Sequence, residues 1–284
     1  MTSFSYHAPS SFEDAFGLID RFGPDARIMA GGTDLLVRIQ TGRISPRAVI
    51  DIKHISGLLN SVSLVNDGVE VGALALMTDL QSDPILKKHF FALTEAAASV
   101  GSVQIRNRAT LAGNLCNASP AADTAPVLLI YRARIKLANR GGTRVLPLDE
   151  FILGPGKTAL LPGELVESIL IPIPSSDQAA AFYRLTRRKG VDLATINICC
   201  QVFKSGAARF AVGAAGPVPF VVEETGGQLV DPSVSAESKK QILQKLMEAA
   251  LPISDVRASR EYRQAMLVVL AWRALETSLD RLTS

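Results

Sequence analysis

The chain has 284 residues, 48% of them hydrophobic, which is enough to bury a sizeable core and to form two or three domains. Thirty basic side chains stand against 27 acidic ones, and the small net charge of +3, without dense basic runs, argues against nucleic acid as a partner. No apolar run of about 18 residues predicts a membrane span and no signal-peptide pattern opens the chain, so we expect a cytoplasmic protein.

Residues 1–55 are predicted to form a small α/β lobe. Ser10 and Glu13 have the spacing of a capping box at the start of an amphipathic helix, which the Gly-Pro pair at residues 23–24 would end. The apolar residues before residue 30 predict a strand that runs into residues 30–34, a turn with two glycines, and then into a helix. A strand, a Gly-Gly turn and a helix in that order can cradle a phosphate with main-chain N–H groups. Alone, the glycine pair is a weak signal.

Residues 56–175 are predicted to form a second α/β lobe. Alternating apolar residues on either side of residues 66–68 predict a β-hairpin. A helix capped by Thr78 and an alanine-rich helix that ends at Gly101 would follow. A proline-rich linker over residues 171–177 would close the lobe.

Residues 110–126 have the composition of a ligand-binding loop. The stretch consists mostly of small residues, amides and hydroxyls, and Asp123 is its one acid. Small residues let another molecule approach the backbone closely, and Gly113 can adopt backbone angles closed to other residues. Such a loop suits a polar ligand held by main-chain N–H groups, whereas the alternative interpretation is a capped loop in front of a buried helix. Together with residues 30–34, the stretch favours a long ligand with a pyrophosphate.

Residues 176–284 are predicted to form an α+β domain of antiparallel strands and helices. Two strand-like runs flank a turn at residues 204–206, and two amphipathic helices follow. We interpret the apolar stripes of these helices as domain core rather than as a binding surface.

Other motifs are excluded by their spacing. Three cysteines cannot supply a four-thiolate iron–sulfur cluster, and the three histidines lack metal-ligand spacing, so we predict no metal site on this chain. Residues 154–158 end like a phosphate-binding P-loop, but Phe151 stands where that pattern needs its first glycine. No Ser-His-Asp or paired-carboxylate arrangement can be assembled, so we predict no catalytic residue.

Three motifs resemble the FAD-binding (medium) subunit of the molybdenum hydroxylases, the superfamily of xanthine dehydrogenase and carbon monoxide dehydrogenase. They are residues 30–34, residues 105–123 and the Ser-x-x-Tyr-Arg run at residues 259–263, which occur in the family's order over nearly the whole chain. The chain departs from the family at Ala112, where a glycine is more frequent. The resemblance implies a two-lobed FAD-binding fold of the PCMH type (vanillyl-alcohol-oxidase-like) with a C-terminal α+β domain.

The resemblance also implies which residues contact a non-covalently bound FAD. Residues 30–34 and 110–114 would hold the pyrophosphate, and Asp123 would contact the ribityl or ribose side. A leucine at residue 160 or 161 would pack at the ring system, and Arg184 stands where the family can carry a flavin-contacting lysine. The full set of expected contacts is Ile28, Met29, Ala30, Gly31, Gly32, Thr33, Asp34, Leu35, Gly72, Ala73, Thr110, Ala112, Gly113, Asn114, Asp123, Leu160, Leu161 and Arg184.

The function implied by the resemblance is electron transfer within a complex. The chain would accept electrons from a small subunit with 2Fe-2S clusters and pass them through FAD to an external acceptor such as NAD, a quinone or oxygen. A large subunit with the molybdenum cofactor would hydroxylate the substrate, in a dimer of heterotrimers. Two alternatives stay open: a free-standing FAD oxidoreductase, and a non-catalytic scaffold that has lost FAD. A flavin spectrum would reject the scaffold, and substrate-driven bleaching without partners would favour the free-standing oxidase.

Overall fold

The computed structural model describes residues 3–66 and 68–283 as three β-sheets with helices packed against them and one short hairpin. Met1, Thr2, Asp67 and Ser284 lie outside the described residues, so the predicted hairpin turn is described only in part. None of the described helices combines the length and the apolar character that crossing a bilayer requires.

The first sheet has parallel strands joined by helices. Its elements are β1 (Ser5–His7), α1 (Phe12–Phe22), β2 (Ala26–Met29), α2 (Leu35–Gln40) and β3 (Ala48–Asp51). β3 lies between β1 and β2 and pairs in parallel with both, which requires such crossover connections. Ser11 caps α1, since its hydroxyl accepts from the Asp14 N–H at 3.1 Å. The predicted capping box at Ser10 and Glu13 is wrong by one residue, because the extended backbone that a cap needs occurs at Ser11.

The second sheet is antiparallel and contains a helical insertion. Its elements are β4 (Val62–Val65), β5 (Gly68–Gly72), α3 (Met77–Ser82), α4 (Pro84–His89), α5 (Phe91–Ser99), α6 (Val103–Arg106), α7 (Leu111–Asn117), α8 (Thr124–Ile130), β6 (Arg134–Asn139), β7 (Gly142–Pro147), α9 (Leu148–Phe151), β8 (Ile152–Gly154), β9 (Lys157–Thr158) and β10 (Leu165–Pro172). The strand order is β4-β5-β10-β6-β7, and β8 pairs with β9 in a separate hairpin. The direct pairing of Val65 with Gly68 confirms the predicted β4–β5 hairpin. The insertion between β5 and β6 contains the central stretch, residues 110–126.

The predicted single helix after Thr78 is two short helices. Leu76, rather than Thr78, lies at the N-cap of α3, and the helix ends at the extended backbone of Asp83. The Asp83 carboxylate then accepts from two N–H groups of α4, whose first residue is Pro84. Proline has no N–H and disfavours helical angles in the residue before it, which explains the break.

The third sheet is antiparallel and is covered by the C-terminal helices. Its elements are β11 (Gln178–Leu185), β12 (Ile196–Phe203), β13 (Ala208–Gly213), β14 (Phe220–Glu224), α10 (Ala236–Met247) and α11 (Arg260–Thr283). The strands pair in their order along the chain, as hairpin connections dictate. This confirms the predicted layer of antiparallel strands and helices.

β12 is buried on both faces and thereby joins the third sheet to the rest of the molecule. Successive side chains of a strand point to opposite faces. Cys199 belongs to the large core formed with the first two sheets, whereas Cys200 belongs to the core under α10 and α11. Both thiols are fully buried, and burial raises the pKa of each. The interpretation of these cysteines as core residues is confirmed.

A buried arginine anchors α11 to the third sheet. Arg263 is 1% exposed, and its guanidinium donates to the main-chain carbonyls of Thr195 and Ala214. It also donates to the Asp255 carboxylate, with 2.6 Å between Nη2 and Oδ1. Burial would raise the pKa of Asp255, but hydrogen bonds from Arg257 and Arg263 outweigh it and hold that pKa well below its usual range. The last residue of the Ser-x-x-Tyr-Arg run therefore has a structural role.

Replacing Arg263 by methionine should lower the free energy of unfolding by roughly 3 kcal/mol, because one carboxylate and two carbonyls lose a charged donor. Urea unfolding followed by circular dichroism measures the loss. Arg260→Met, an exposed position of the same helix, should change that free energy by less than about 0.5 kcal/mol. Equal stability of the two variants would contradict the anchoring role.

Acid should reduce the contribution of the same cluster. The pKa of Asp255 is lower in the folded chain than its ordinary value of 3.8, so the stabilisation is fully present above that value. It is lost as the pH falls through the folded pKa. The difference in stability between wild type and Arg263→Met should therefore shrink in acid, and a constant difference would show that Asp255 does not contribute to it.

Candidate functional site

A cleft of about 310 Å³ lies between the first and second sheets. A volume of this order is typical of ligand sites in proteins. The expected contacts that line it are Ile28, Met29, Ala30, Gly31, Gly32, Thr33, Asp34, Leu35, Ala73, Thr110, Ala112, Gly113, Asn114 and Leu160. Gly72, Asp123, Leu161 and Arg184 lie outside this lining.

The turn of residues 30–34 presents unused main-chain donors to the cleft. Within the described part of the chain, no hydrogen bond uses the N–H groups of Gly31, Gly32, Thr33 or Asp34. Gly32 has a φ of 77°, in the left-handed region that glycine adopts without strain. Successive N–H groups around such a residue form a concave site for an anion. The geometry supports the phosphate-binding role predicted for this turn.

The two predicted ligand segments meet backbone to backbone. A Cβ on Gly31 would overlap the main-chain carbonyl of Arg108, so only glycine permits this approach. Beside this contact, Asn117 Nδ2 donates to Asp34 Oδ1 at 3.2 Å. The turn after β2 and the start of the central stretch therefore form one continuous wall of the cleft.

The central stretch is helical over seven residues, and the prediction of a loop there is wrong. Thr110 caps α7, because its Oγ1 accepts from the Gly113 N–H at 3.0 Å. Leu111 and Leu115 are buried and fix the helix on the core, which offsets the low helix propensity of the glycine and the two asparagines in it. Gly113 has its N–H engaged in this cap, so it contributes close approach to the cleft rather than a free donor.

A hydroxyl on the next helix holds the Asn114 side chain. Thr124 is fully buried, and its Oγ1 donates to Asn114 Oδ1 at 2.7 Å. An amide whose oxygen accepts in this way keeps its NH2 group available as a donor elsewhere. Asn114 lines the cleft and so suits the predicted contact with an anionic ligand. Thr124 was not predicted as a site residue, because nothing in the sequence around it distinguishes it from an ordinary first residue of a helix.

Asp123 contacts the third sheet instead of the cleft. Its Oδ2 accepts from Arg184 Nη1 at 2.8 Å, and its Oδ1 accepts from Asn197 Nδ2 at 2.9 Å. Burial raises the pKa of Asp123, although the Arg184 charge and these hydrogen bonds oppose the rise. The structure thus brings two predicted site residues together as an ion pair. Asn197 completes it and was missed, although an asparagine inside an otherwise apolar strand was a usable signal.

Gly72 and Leu161 are close to the cleft without lining it. A Cβ on Gly72 would overlap the main-chain carbonyl of Leu59, so packing accounts for this glycine. Leu161 is 58% exposed, whereas the preceding Leu160 lines the cleft. Of the two leucines, the geometry favours Leu160 as a contact for a ring system.

An ion pair between a buried carboxylate, Glu164, and the partly exposed Arg144 lies next to Leu160. Glu164 lines the cleft and accepts from Arg144 Nε at 2.6 Å and from the Leu161 N–H at 2.7 Å. The hydrogen bond from Arg144 holds the pKa of Glu164 below its ordinary value. Neither Arg144 nor Glu164 was predicted as a site residue, since they lie 20 positions apart and no motif marks them.

The residues present fit a ligand with a pyrophosphate and apolar rings, such as FAD. The free N–H groups of residues 31–34 and the oriented amide of Asn114 can donate to an anion in the cleft, and much of the remaining lining is apolar. Cys116 also lines the cleft, but burial raises the pKa of its thiol to about 12, so it stays protonated at neutral pH. Among the residues that the structure describes, no group of His, Cys, Asp or Glu side chains could hold a metal ion.

Comparison with known proteins agrees with this geometry. Residues 2–174 match the family described as FAD binding domain in molybdopterin dehydrogenase, and residues 181–278 match the CO dehydrogenase flavoprotein C-terminal domain. The chain is 29% identical to a xanthine dehydrogenase FAD-binding subunit of Escherichia coli O157:H7 over 97% of this chain and 96% of that protein. It is also 29% identical to a carbon monoxide dehydrogenase medium chain of Hydrogenophaga pseudoflava, over 98% of both chains. A solved carbon monoxide dehydrogenase from the same organism superposes with a TM-score of 0.90 at 29% identity, over 98% of both chains.

Gly31→Ala should lower FAD affinity by about tenfold or more, because the methyl group would push the turn of residues 30–34 away from Arg108. The donors of the turn and the Asn114 amide could then no longer contact the same ligand. Flavin absorbance per protein and titration of the flavin-free chain with FAD measure the effect. Gly154→Ala is the matched control, since a Cβ there meets nothing within 4 Å. Equal FAD affinity in the two variants would show that the contact between Gly31 and Arg108 does not contribute to FAD binding.

Proposed function

The chain belongs to the FAD-binding medium subunits of the molybdenum hydroxylase family, and from that premise we propose that it is the electron-transfer subunit of a heterotrimer. The family match confirms the predicted FAD-binding fold with its C-terminal α+β domain, and it confirms the chain as an oxidoreductase component with FAD as its cofactor. The molybdenum cofactor and the iron–sulfur clusters of the family's complexes sit on other subunits. In our proposal a small 2Fe-2S subunit delivers electrons, and an external acceptor such as NAD, a quinone or oxygen receives them.

The unused donors of residues 31–34 are the observation that carries the proposal. When bound, FAD supplies the redox chemistry, so the chain needs to bind and orient it rather than to provide an acid or a base. In this proposal Gly31, Gly32 and Thr33 donate to the pyrophosphate from the turn. Asn114 donates from α7, with its amide held by Thr124.

The partner surface is proposed to lie at the mouth of the cleft. Leu161, which follows a lining residue, is more than half exposed, and Ile105 lines the cleft while remaining 38% exposed. Exposed apolar side chains of this kind are common at protein–protein interfaces. In the proposed complex, a dimer of heterotrimers, the large subunit with the molybdenum cofactor hydroxylates the substrate.

The two alternatives differ in what the purified chain does alone. A scaffold would not bind FAD, and the row of free donors around Gly32 argues against it. A free-standing oxidase would need residues that activate its own substrate. Of the titratable groups in the described lining, Cys116 is protonated, Glu164 is paired with Arg144, and Asp34 accepts a hydrogen bond from Asn117.

The purified chain should bind FAD and show a flavin spectrum, and the reduced 2Fe-2S partner should bleach it. Co-expression with the genes next to its own, followed by light scattering, should give the mass of a dimer of heterotrimers. Bleaching by an organic substrate without any partner would favour the free-standing oxidase. A colourless chain that takes up no FAD would leave only the scaffold.

Asp123→Ala should weaken FAD binding about 5- to 150-fold if the carboxylate also accepts from a cofactor hydroxyl, an interaction worth roughly 1–3 kcal/mol. Asn197→Ala is the matched control, because it removes one hydrogen bond from the same carboxylate and leaves the carboxylate in place. Titration of each flavin-free variant with FAD gives the comparison. If both variants lose the same affinity, Asp123 acts only through the third sheet.

A further inference from the structure

Lys53 lies directly behind the turn of residues 30–34. It follows β3 by two residues, and its Nζ is 3.2 Å from the Ala30 carbonyl oxygen. The same Nζ is 2.6 Å from each carboxylate oxygen of Asp51. An ammonium group has three N–H donors, and here it meets three acceptors. The Lys53 head group is therefore held in one place although the side chain is about 30% exposed.

Asp51 fixes Lys53 in turn. The Asp51 side chain is 3% exposed, and it also accepts from Tyr6 Oη at 2.5 Å and from the Lys53 main-chain N–H at 3.1 Å. A buried carboxylate requires a counter-charge and hydrogen bonds to remain ionised. These partners hold the pKa of Asp51 below its ordinary value in spite of burial. The lysine is thus kept next to the Ala30 carbonyl by a charge that cannot reach solvent.

The contact with Ala30 determines which way one peptide group faces. In a trans peptide the C=O and the following N–H point in opposite directions. Because the Ala30 C=O points to Lys53, the Gly31 N–H points the other way, and Gly31 lines the cleft. The Gly31 side of this peptide group carries no side chain, so φ of Gly31 restricts its rotation less than any other residue would. A rotated peptide would place a carbonyl oxygen against an anionic ligand.

We propose that Lys53 is a positioning residue for the pyrophosphate of FAD. It holds the peptide between Ala30 and Gly31 in the orientation that donates to phosphate, and it does so before the ligand arrives. The proposal rests on the proposed FAD-binding function. It adds a residue that lies outside the lining of the cleft and outside the motifs of the sequence.

The test compares full-length variants by titration of the flavin-free chain with FAD. Lys53→Met should weaken FAD binding by about tenfold, as expected for loss of one preorganised hydrogen bond to a charged group. Lys53→Arg should restore part of the affinity, because a guanidinium can also bridge a carboxylate and a carbonyl. The ³¹P resonances of bound FAD should shift in Lys53→Met, since the environment of the pyrophosphate changes.

Lys136→Met is the matched control. Lys136 pairs with Glu167 at 2.7 Å and has a similar exposed fraction of 29%, but neither residue lines the cleft. It should leave FAD affinity and the ³¹P resonances unchanged. Tyr6→Phe removes a hydrogen bond from Asp51 but leaves the contact between Lys53 and Ala30 in place. It should therefore reduce the free energy of unfolding by more than it reduces the free energy of FAD binding.

Unchanged FAD affinity in a folded Lys53→Met chain would overturn the proposal, as would an equal loss in Lys136→Met. If Lys53→Met does not fold, Lys53→Gln, which keeps a donor of similar length, should fold with intermediate affinity, and wild-type affinity in that variant would overturn the proposal as well. A wild-type chain that takes up no FAD would overturn the proposed function itself. The wild-type titration therefore separates failure of the proposed function from failure of the role proposed for Lys53.

Discussion

The cleft depends on one close approach of main chain to main chain. Gly31 lies against the carbonyl of Arg108 with no space for a side chain. This contact joins the turn after β2 to the segment that precedes α7, so the two halves of the cradle come from different sheets. A ligand with a pyrophosphate can use donors from both only while they are held together. The pairing of Asn117 with Asp34 adds a polar link across the same junction.

The third sheet is coupled to this junction through the start of α8. Arg184 and Asn197 reach from neighbouring strands to the Asp123 carboxylate, and the next residue, Thr124, holds the Asn114 amide. The main-chain N–H of Ala214 also donates to the Pro120 carbonyl at 2.7 Å. Because β12 is buried on both faces, the sheet that supplies these groups cannot shift without disturbing both cores. The C-terminal region therefore supports the wall of the candidate site through these hydrogen bonds.

Much of the fold could be predicted from local signals. The turn with two glycines, the hairpin before β5 and the apolar stripes of α10 and α11 are each encoded within a few consecutive residues. The short strands β1 and β14 could not be predicted, since they have little periodicity and form by pairing with distant strands. The capped stretch after Thr110 was predicted as a loop because it consists mostly of small residues, amides and hydroxyls, as ligand-binding loops do. Burial of Leu111 and Leu115, a tertiary effect, decides for the helix.

The candidate site divides in the same way. Gly31 and Gly32 could be predicted to lie in the cleft, because consecutive glycines mark a turn where another chain segment or a ligand can approach the backbone. Residues that act by contact with a distant partner could not: Lys53 touches Ala30, and Glu164 pairs with Arg144, across 23 and 20 positions of the chain.

A site of main-chain donors constrains the sequence mainly where side chains must be absent, and it leaves the supporting side chains free to differ. A solved relative that is only 29% identical superposes with a TM-score of 0.90 over nearly the full length of both chains. Where such relatives differ in cofactor affinity, we expect the cause to be substitutions of the supporting side chains. Lys53 and the groups that hold it are the clearest of these in the present chain.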